Sequence, residues 1–203
     1  METIRKNLAI SGALIVAAAM ASLDGQPQTP RAVLEGTVRC AAHGPMVVSA
    51  EPRVPPRFNP PATPPVVDQR RLEFVPHVLP VVVGTRVGFV NSDPVPHNVF
   101  SPSSVRPFNL GAYHTGVTRY VNFDQPGVVE ILCNVHLEMN AFVIVLQTPF
   151  FTLTQAAGRY RIEGLSPGPH TISAWCETTG TVRREIQLGP GLTHLDFDLR
   201  TSG

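Results

Sequence analysis

The chain has 203 residues, 43% of them hydrophobic and 15% charged, with 16 basic and 15 acidic side chains and a formal net charge of +1. That length suits one large or two small domains. The charge balance offers neither the field nor the basic run that would attract nucleic acid or an anionic membrane. Three cysteines are too few for a disulfide scaffold, and an odd number leaves one over.

Residues 1–21 read as a secretory signal peptide: two basic residues in Met1 to Lys6, an apolar run from Leu8 to Ala21, and a small-x-small end at Ala19-Met-Ala21. The run is short and alanine-rich for a membrane span, so no stable membrane anchor is expected, and the protein is expected to be periplasmic or secreted. Arg5, Lys6 and Glu2 fall in this segment, and beyond it basic and acidic side chains are equal in number.

Within residues 22–50, Val33 to Cys40 and Met46 to Ala50 read as two strands around the turn Ala-His-Gly-Pro. Residues 51–66 read as a linker, because residues 52–65 hold seven of the 21 prolines and proline removes the donors a central strand needs. Residues 67–147 then alternate short strand-like runs with turn signals: Leu72 to Val75, Val78 to Val83, Arg86 to Val90, Val117 to Phe123, Val128 to Cys133 and Ala141 to Leu146. Residues 148–203 keep the strand habit in Phe150 to Thr154, Gly158 to Ile162, Gly164 to Trp175 and Val182 to Leu188. Outside residues 1–21 no stretch sustains a helical period, so the fold class is all-β, a sandwich or barrel.

The chemistry concentrates in Cys133-x-x-His136-x-x-Met139. Thiolate and thioether are soft ligands and imidazole is intermediate. With a second histidine they make the His₂Cys set with a weak axial Met that holds type 1 copper. His97, in Asp93-Pro-Val-Pro-His-Asn98, is the candidate second histidine, placed like a neighbouring strand end. Each residue alone reads as core or surface, and it is the combination that points to a metal. Structural zinc would want more thiolates or histidines and has no use for Met. His43, His77, His114, His170 and His194 show no ligand spacing and read as surface or turn residues, His114 being the one to watch.

Phe89 to Ser101, Phe123-Asp-Gln-Pro-Gly127 and Cys133 to Met139 together resemble a cupredoxin of the plastocyanin and amicyanin type, and the short ligand loop is more similar to amicyanin's. The aromatic residues that plastocyanins often place before the cysteine are absent. The resemblance implies a Greek-key β-sandwich holding one type 1 copper through His97, Cys133, His136 and Met139. It implies that Asn98 ties the two ligand segments together, with Asn134 as its partner. It further implies that Pro94, Val95, Pro96 and Leu137 form an apolar patch around His136 where a redox protein docks.

Residues 148–203 resemble the carboxypeptidase regulatory-like, transthyretin-like sandwich in their Gly-aromatic strand and Leu-x-Pro-Gly turn, and Gly36-Thr-Val38 resembles that unit's opening strand. The first strands are therefore expected to pair with the C-terminal unit, with the copper domain inserted between them. Cys40 and Cys176 are then either a disulfide within one domain or two buried thiols. The function expected is electron transfer by an exported blue copper protein, with no catalysis and no small-molecule substrate. A copper carrier or storage protein, or a structural adhesion module, are the alternatives.

Overall fold

The computed structural model describes residues 31–41 and 44–200, so the signal-peptide reading, and with it residues 22–30, lies outside the described residues. The strands are β1 (Ala32–Arg39), β2 (Val47–Pro52), β3 (Val66–Arg70), β4 (Glu73–Val75), β5 (Val78–Val82) and β6 (Thr85–Asn91). They continue as β7 (His97–Ser101), β8 (Phe108–Tyr113), β9 (Thr118–Phe123), β10 (Gly127–Leu132), β11 (Asn140–Leu146) and β12 (Phe151–Leu153). The last five are β13 (Arg159–Leu165), β14 (Gly168–Cys176), β15 (Gly180–Leu188), β16 (Gly191–His194) and β17 (Phe197–Asp198). A single 3-10 turn over Ala156–Gly158 is the one helical element among the described residues. The fold is all-β.

The strands form four sheets in two face-to-face pairs. In the first pair, β5-β11-β10-β7-β8 packs on β4-β3-β6-β9 over a core that includes Phe89, Phe123, Val99, Ile131 and Val143. In the second, β13-β1-β16, with β17 also on β1, packs on β12-β2-β14-β15 over Leu34, Ile162, Ile172, Leu188 and Phe197. Side chains alternate along a strand, so Ala32, Leu34 and Val38 of β1 all point into one core. The described residues thus start in the second sandwich, cross to build the first, and return: β1 pairs with β13 and β2 with β14.

Strand β11 explains how the two sandwiches meet. Its run Ala141-Phe-Val-Ile-Val-Leu146 is apolar at every position, the pattern of a strand covered on both faces. Ala141, Val143 and Val145 enter the first core, whereas Ile144 joins Val47, Val78 and Trp175 in a separate cluster between the sandwiches, with Phe142 and Leu146 packed against it. Trp175 points away from its own core and is 4% exposed because the first sandwich covers it. Cys40, just past β1, and Cys176, at the end of β14, form a disulfide across the second sandwich, with their Cα atoms 6.5 Å apart.

Several expectations are corrected. The linker is shorter than 51–66: Glu51 and Pro52 belong to β2, and Val66 opens β3. Pro52 is tolerated because β12 covers only Val47 to Ser49, which leaves one side of β2 as an edge at Pro52. Strand β8 carries a polar and glycine-interrupted sequence; Gly111 has φ +68, and the pairing with β7 shifts register between Asn98 and Phe100. His170 is not a surface residue: it is 3% exposed and donates from Nδ1 to Gly168 O at 3.1 Å.

Candidate metal centre

His97 opens β7 and Cys133 follows the last residue of β10. These strands are antiparallel neighbours, joined at Leu132 and Phe100, so the start of one lies beside the end of the other. Between β10 and β11 the chain turns through residues 133–139 and closes on itself. The Cys133 amide donates to Met139 O at 3.3 Å and the Met139 amide donates to His136 O at 3.1 Å. Cys133 and Met139 are both buried in the first core, at 3% and 1% exposure, and His136 is half-buried at the rim.

Three donor atoms converge there. His97 Nδ1 lies 3.0 Å from His136 Nδ1 and 4.0 Å from Cys133 Sγ, and all three atoms fall within 4.8 Å of one another. Two nitrogens each about 2 Å from one metal ion would stand about 3.3 Å apart, so the spacing fits a shared ion. The donor set, two imidazoles and a thiol with a buried thioether in the same core, matches the preferences of copper better than those of zinc or of hard cations.

His97 is aimed by a residue that the sequence reading passed over. Its ring donates from Nε2 to Asp93 Oδ2 at 2.9 Å. A carboxylate only accepts, so Nε2 carries the proton and the neutral ring keeps its Nδ1 lone pair for the cluster. Burial pushes the Asp93 carboxyl up, but the amides of Leu72 and Arg71 and the His97 ring more than offset this and hold it below the usual carboxylate range. Those amides donate at 2.9 Å to Oδ2 and 2.5 Å to Oδ1.

The loop that carries His97 is pinned again by Asn91, which is fully buried. Its Nδ2 donates to Val95 O at 2.9 Å and Tyr113 O at 3.0 Å, and its Oδ1 accepts from the Asp93 amide at 2.9 Å. Thr115 Oγ1 donates to Asp93 O. Tyr113 is the cross-strand partner of His97. Burial pushes its phenol up to about 12, so it stays a donor, to Phe89 O at 3.1 Å, while accepting from Gln69 Nε2 at 2.6 Å. The signal for this network was present in Asn91-Ser-Asp93, where two short amide and carboxylate side chains sit at a strand end with proline behind them. It reads as a break and is also a clamp.

Asn98 and Asn134 are not arranged as expected. Asn98 is buried, but its Oδ1 has no hydrogen-bond partner, and Asn134 is exposed, so no bond joins them. The tie between neighbouring segments runs through Asp93 and Asn91 instead. Pro94, Val95 and Pro96 are exposed, as are Val135 at 50% and Leu137 at 87%. His114 is exposed in a turn, His194 is exposed beside Asp196, and His43 lies outside the described residues. No helix among the described residues is long and apolar enough to cross a membrane.

The solved structures to which the chain is similar include cupredoxins. A Cu-containing nitrite reductase from Thermus scotoductus SA-01 is 26% identical with a TM-score of 0.40, the match covering 41% of this chain and 22% of that one. A purple cupredoxin from Nitrosopumilus maritimus is 26% identical with a TM-score of 0.38, covering 40% of this chain and 99% of that one. An oxidised amicyanin variant is 24% identical with a TM-score of 0.39, covering 41% and 82%. The chain therefore spans about a fifth of the reductase's length. None of these supports the regulatory-like resemblance of residues 148–203. No protein-family model matches the chain, and no curated protein matches it.

Proposed function

We propose that this chain is an exported type 1 copper protein that passes single electrons between redox partners and performs no catalysis itself. The observation that carries this reading is the convergence of His97 Nδ1, His136 Nδ1 and Cys133 Sγ at one end of a β-sandwich. His97, Cys133 and His136 would hold one copper ion, with Met139 as the weak fourth ligand. Bound copper would supply a one-electron couple. The chain's part is to keep the donors still. Two adjacent strand ends fix His97 and Cys133, Asp93 sets the His97 tautomer, and a seven-residue connection leaves His136 and Met139 little freedom. Ligands that do not rearrange between oxidation states keep the cost of electron transfer low.

The half-buried His136 is flanked in sequence by the exposed Val135 and Leu137, and His97, whose ring it meets, is preceded by the exposed Pro94, Val95 and Pro96. We assign these as the face that meets a redox protein, with His136 as the point of exit for the electron. The chain's near-zero net charge suits apolar rather than electrostatic docking.

The test is the visible spectrum of the purified protein after addition of Cu(II), recorded beside Cys133→Ser. An intense thiolate-to-copper band that disappears in the variant, with reversible one-electron cycling, is the expected result. Copper that binds without that band and passes readily to an acceptor as Cu(I) would favour a carrier. A protein that takes up no copper would leave a structural module.

A further inference from the structure

The exit of the ligand loop lies against the second sandwich. Asn140, the residue after Met139, opens β11 and is paired there with Leu132, the residue before Cys133. That pair is the last of its ladder, and the ends of ladders fray most easily. A second set of contacts falls on the same residue. His77 Nδ1 lies 3.1 Å from Asn140 O and His77 Nε2 lies 2.9 Å from Glu177 Oε2, while Asn140 Nδ2 donates to Glu177 Oε1 at 3.5 Å. Both His77 nitrogens face acceptors, so as the imidazolium the ring donates to both at once.

Glu177 belongs to the other sandwich, and its position is fixed from two directions. It follows Cys176, whose disulfide to Cys40 anchors the end of β14. It follows Trp175 by two residues, and that indole lies 5.2 Å from the Phe142 ring, which meets the His77 ring edge-on at 5.6 Å. Phe142 also donates its amide to His77 O at 2.8 Å. The aromatic contacts hold the two sandwiches in register, and the polar ones grip the loop exit.

We infer that Glu177 is a positioning residue for the metal centre: the second sandwich clamps the Met139 end of the ligand loop through His77 and Asn140. Its role in ligation rests on the copper reading of Met139, whereas the clamp itself does not. The strands of the first sandwich hold His97 and Cys133 without help. Met139 sits at the less well anchored end, and a weak axial ligand is the one whose distance responds most to a loosened backbone. The second sandwich thereby has a task at the site without contributing a ligand.

Two measurements on Glu177→Ala and Glu177→Gln test this. In the metal-free protein, amide hydrogen exchange at Met139 and Cys133 reports the loop closure directly, with Val129 and Ile131 as internal controls. Glu177→Ala is expected to speed exchange at the loop amides by about two- to fivefold, the range for loss of one exposed ion pair, and to leave the controls unchanged. Glu177→Gln should restore protection, since its amide oxygen can still accept from His77 Nε2. In the copper-loaded protein, Glu177→Ala should change the visible and electron paramagnetic resonance spectra and the reduction potential, and Glu177→Gln should return them toward the wild type. Unchanged loop exchange and unchanged spectra in Glu177→Ala would overturn the inference. A wild-type protein without the blue band would overturn the copper reading, and the exchange data would still decide the clamp.

Discussion

Asp93→Asn probes the residue on which the aim of His97 depends. The carboxylate makes three bonds: Oδ1 accepts from Arg71 N, and Oδ2 accepts from Leu72 N and His97 Nε2. Asparagine has one oxygen, so one side of the new group becomes a donor. If the donor takes the Oδ1 position, the partly buried Arg71 amide loses its acceptor, which costs about 1–3 kcal/mol. If it takes the Oδ2 position, the Leu72 amide loses its acceptor too, the imidazole must offer its Nε2 lone pair, and the ring proton moves to Nδ1, the atom 3.0 Å from His136 Nδ1. The proton then occupies the position a metal would take. On the copper reading this lowers affinity by about 10- to 100-fold, the usual effect of removing such a partner of a metal-bound histidine. Chelator competition at fixed pH measures the affinity, and urea unfolding of the metal-free protein measures the stability. Unchanged copper affinity together with unchanged stability in Asp93→Asn would refute the argument.

Two further outcomes concern the second sandwich. An added Cβ at Gly36 would lie 2.0 Å from Leu195 O, so Gly36→Ala should push the tail off β1 and destabilise the protein by about 1–3 kcal/mol; a loss below about 0.5 kcal/mol by urea unfolding would contradict the close approach. Replacing both Cys40 and Cys176 by Ala opens a link between residues 136 apart, worth about 5 kcal/mol in the chain-entropy picture. The intervening first sandwich holds its own ends together, so about 2–4 kcal/mol is the expected loss, and an unchanged midpoint would count against the bridge.

The fold was largely legible because period-two alternation and turn residues survive in isolation. The residues that escaped notice were those whose role depends on a distant segment. Phe108 to Tyr113 has an asparagine and a glycine where a strand prefers branched or aromatic residues, and only pairing with β7 makes it a strand. The Cys-x-x-His-x-x-Met spacing from Cys133 to Met139 is local and legible in the sequence itself. His97 required a guess that two strand ends are neighbours, and the geometry brings its Nδ1 to the other donors.

Asp93 shows where sequence reading stops. Its partners are His97, four residues on, and two amides more than twenty residues earlier in the chain. Arg71 and Leu72, which supply those amides, have positive φ values of 58° and 62°, a backbone shape that non-glycine residues seldom adopt and that no propensity scale assigns to Arg-Leu. The turn is held in that shape by the carboxylate that also aims His97. One acidic side chain thus joins a local backbone exception to the orientation of His97. Likewise Trp175 is buried on the outer face of its own sheet, so neither its period nor its neighbours in sequence reveal what covers it. Both residues are explained only when segments far apart in the chain are considered together.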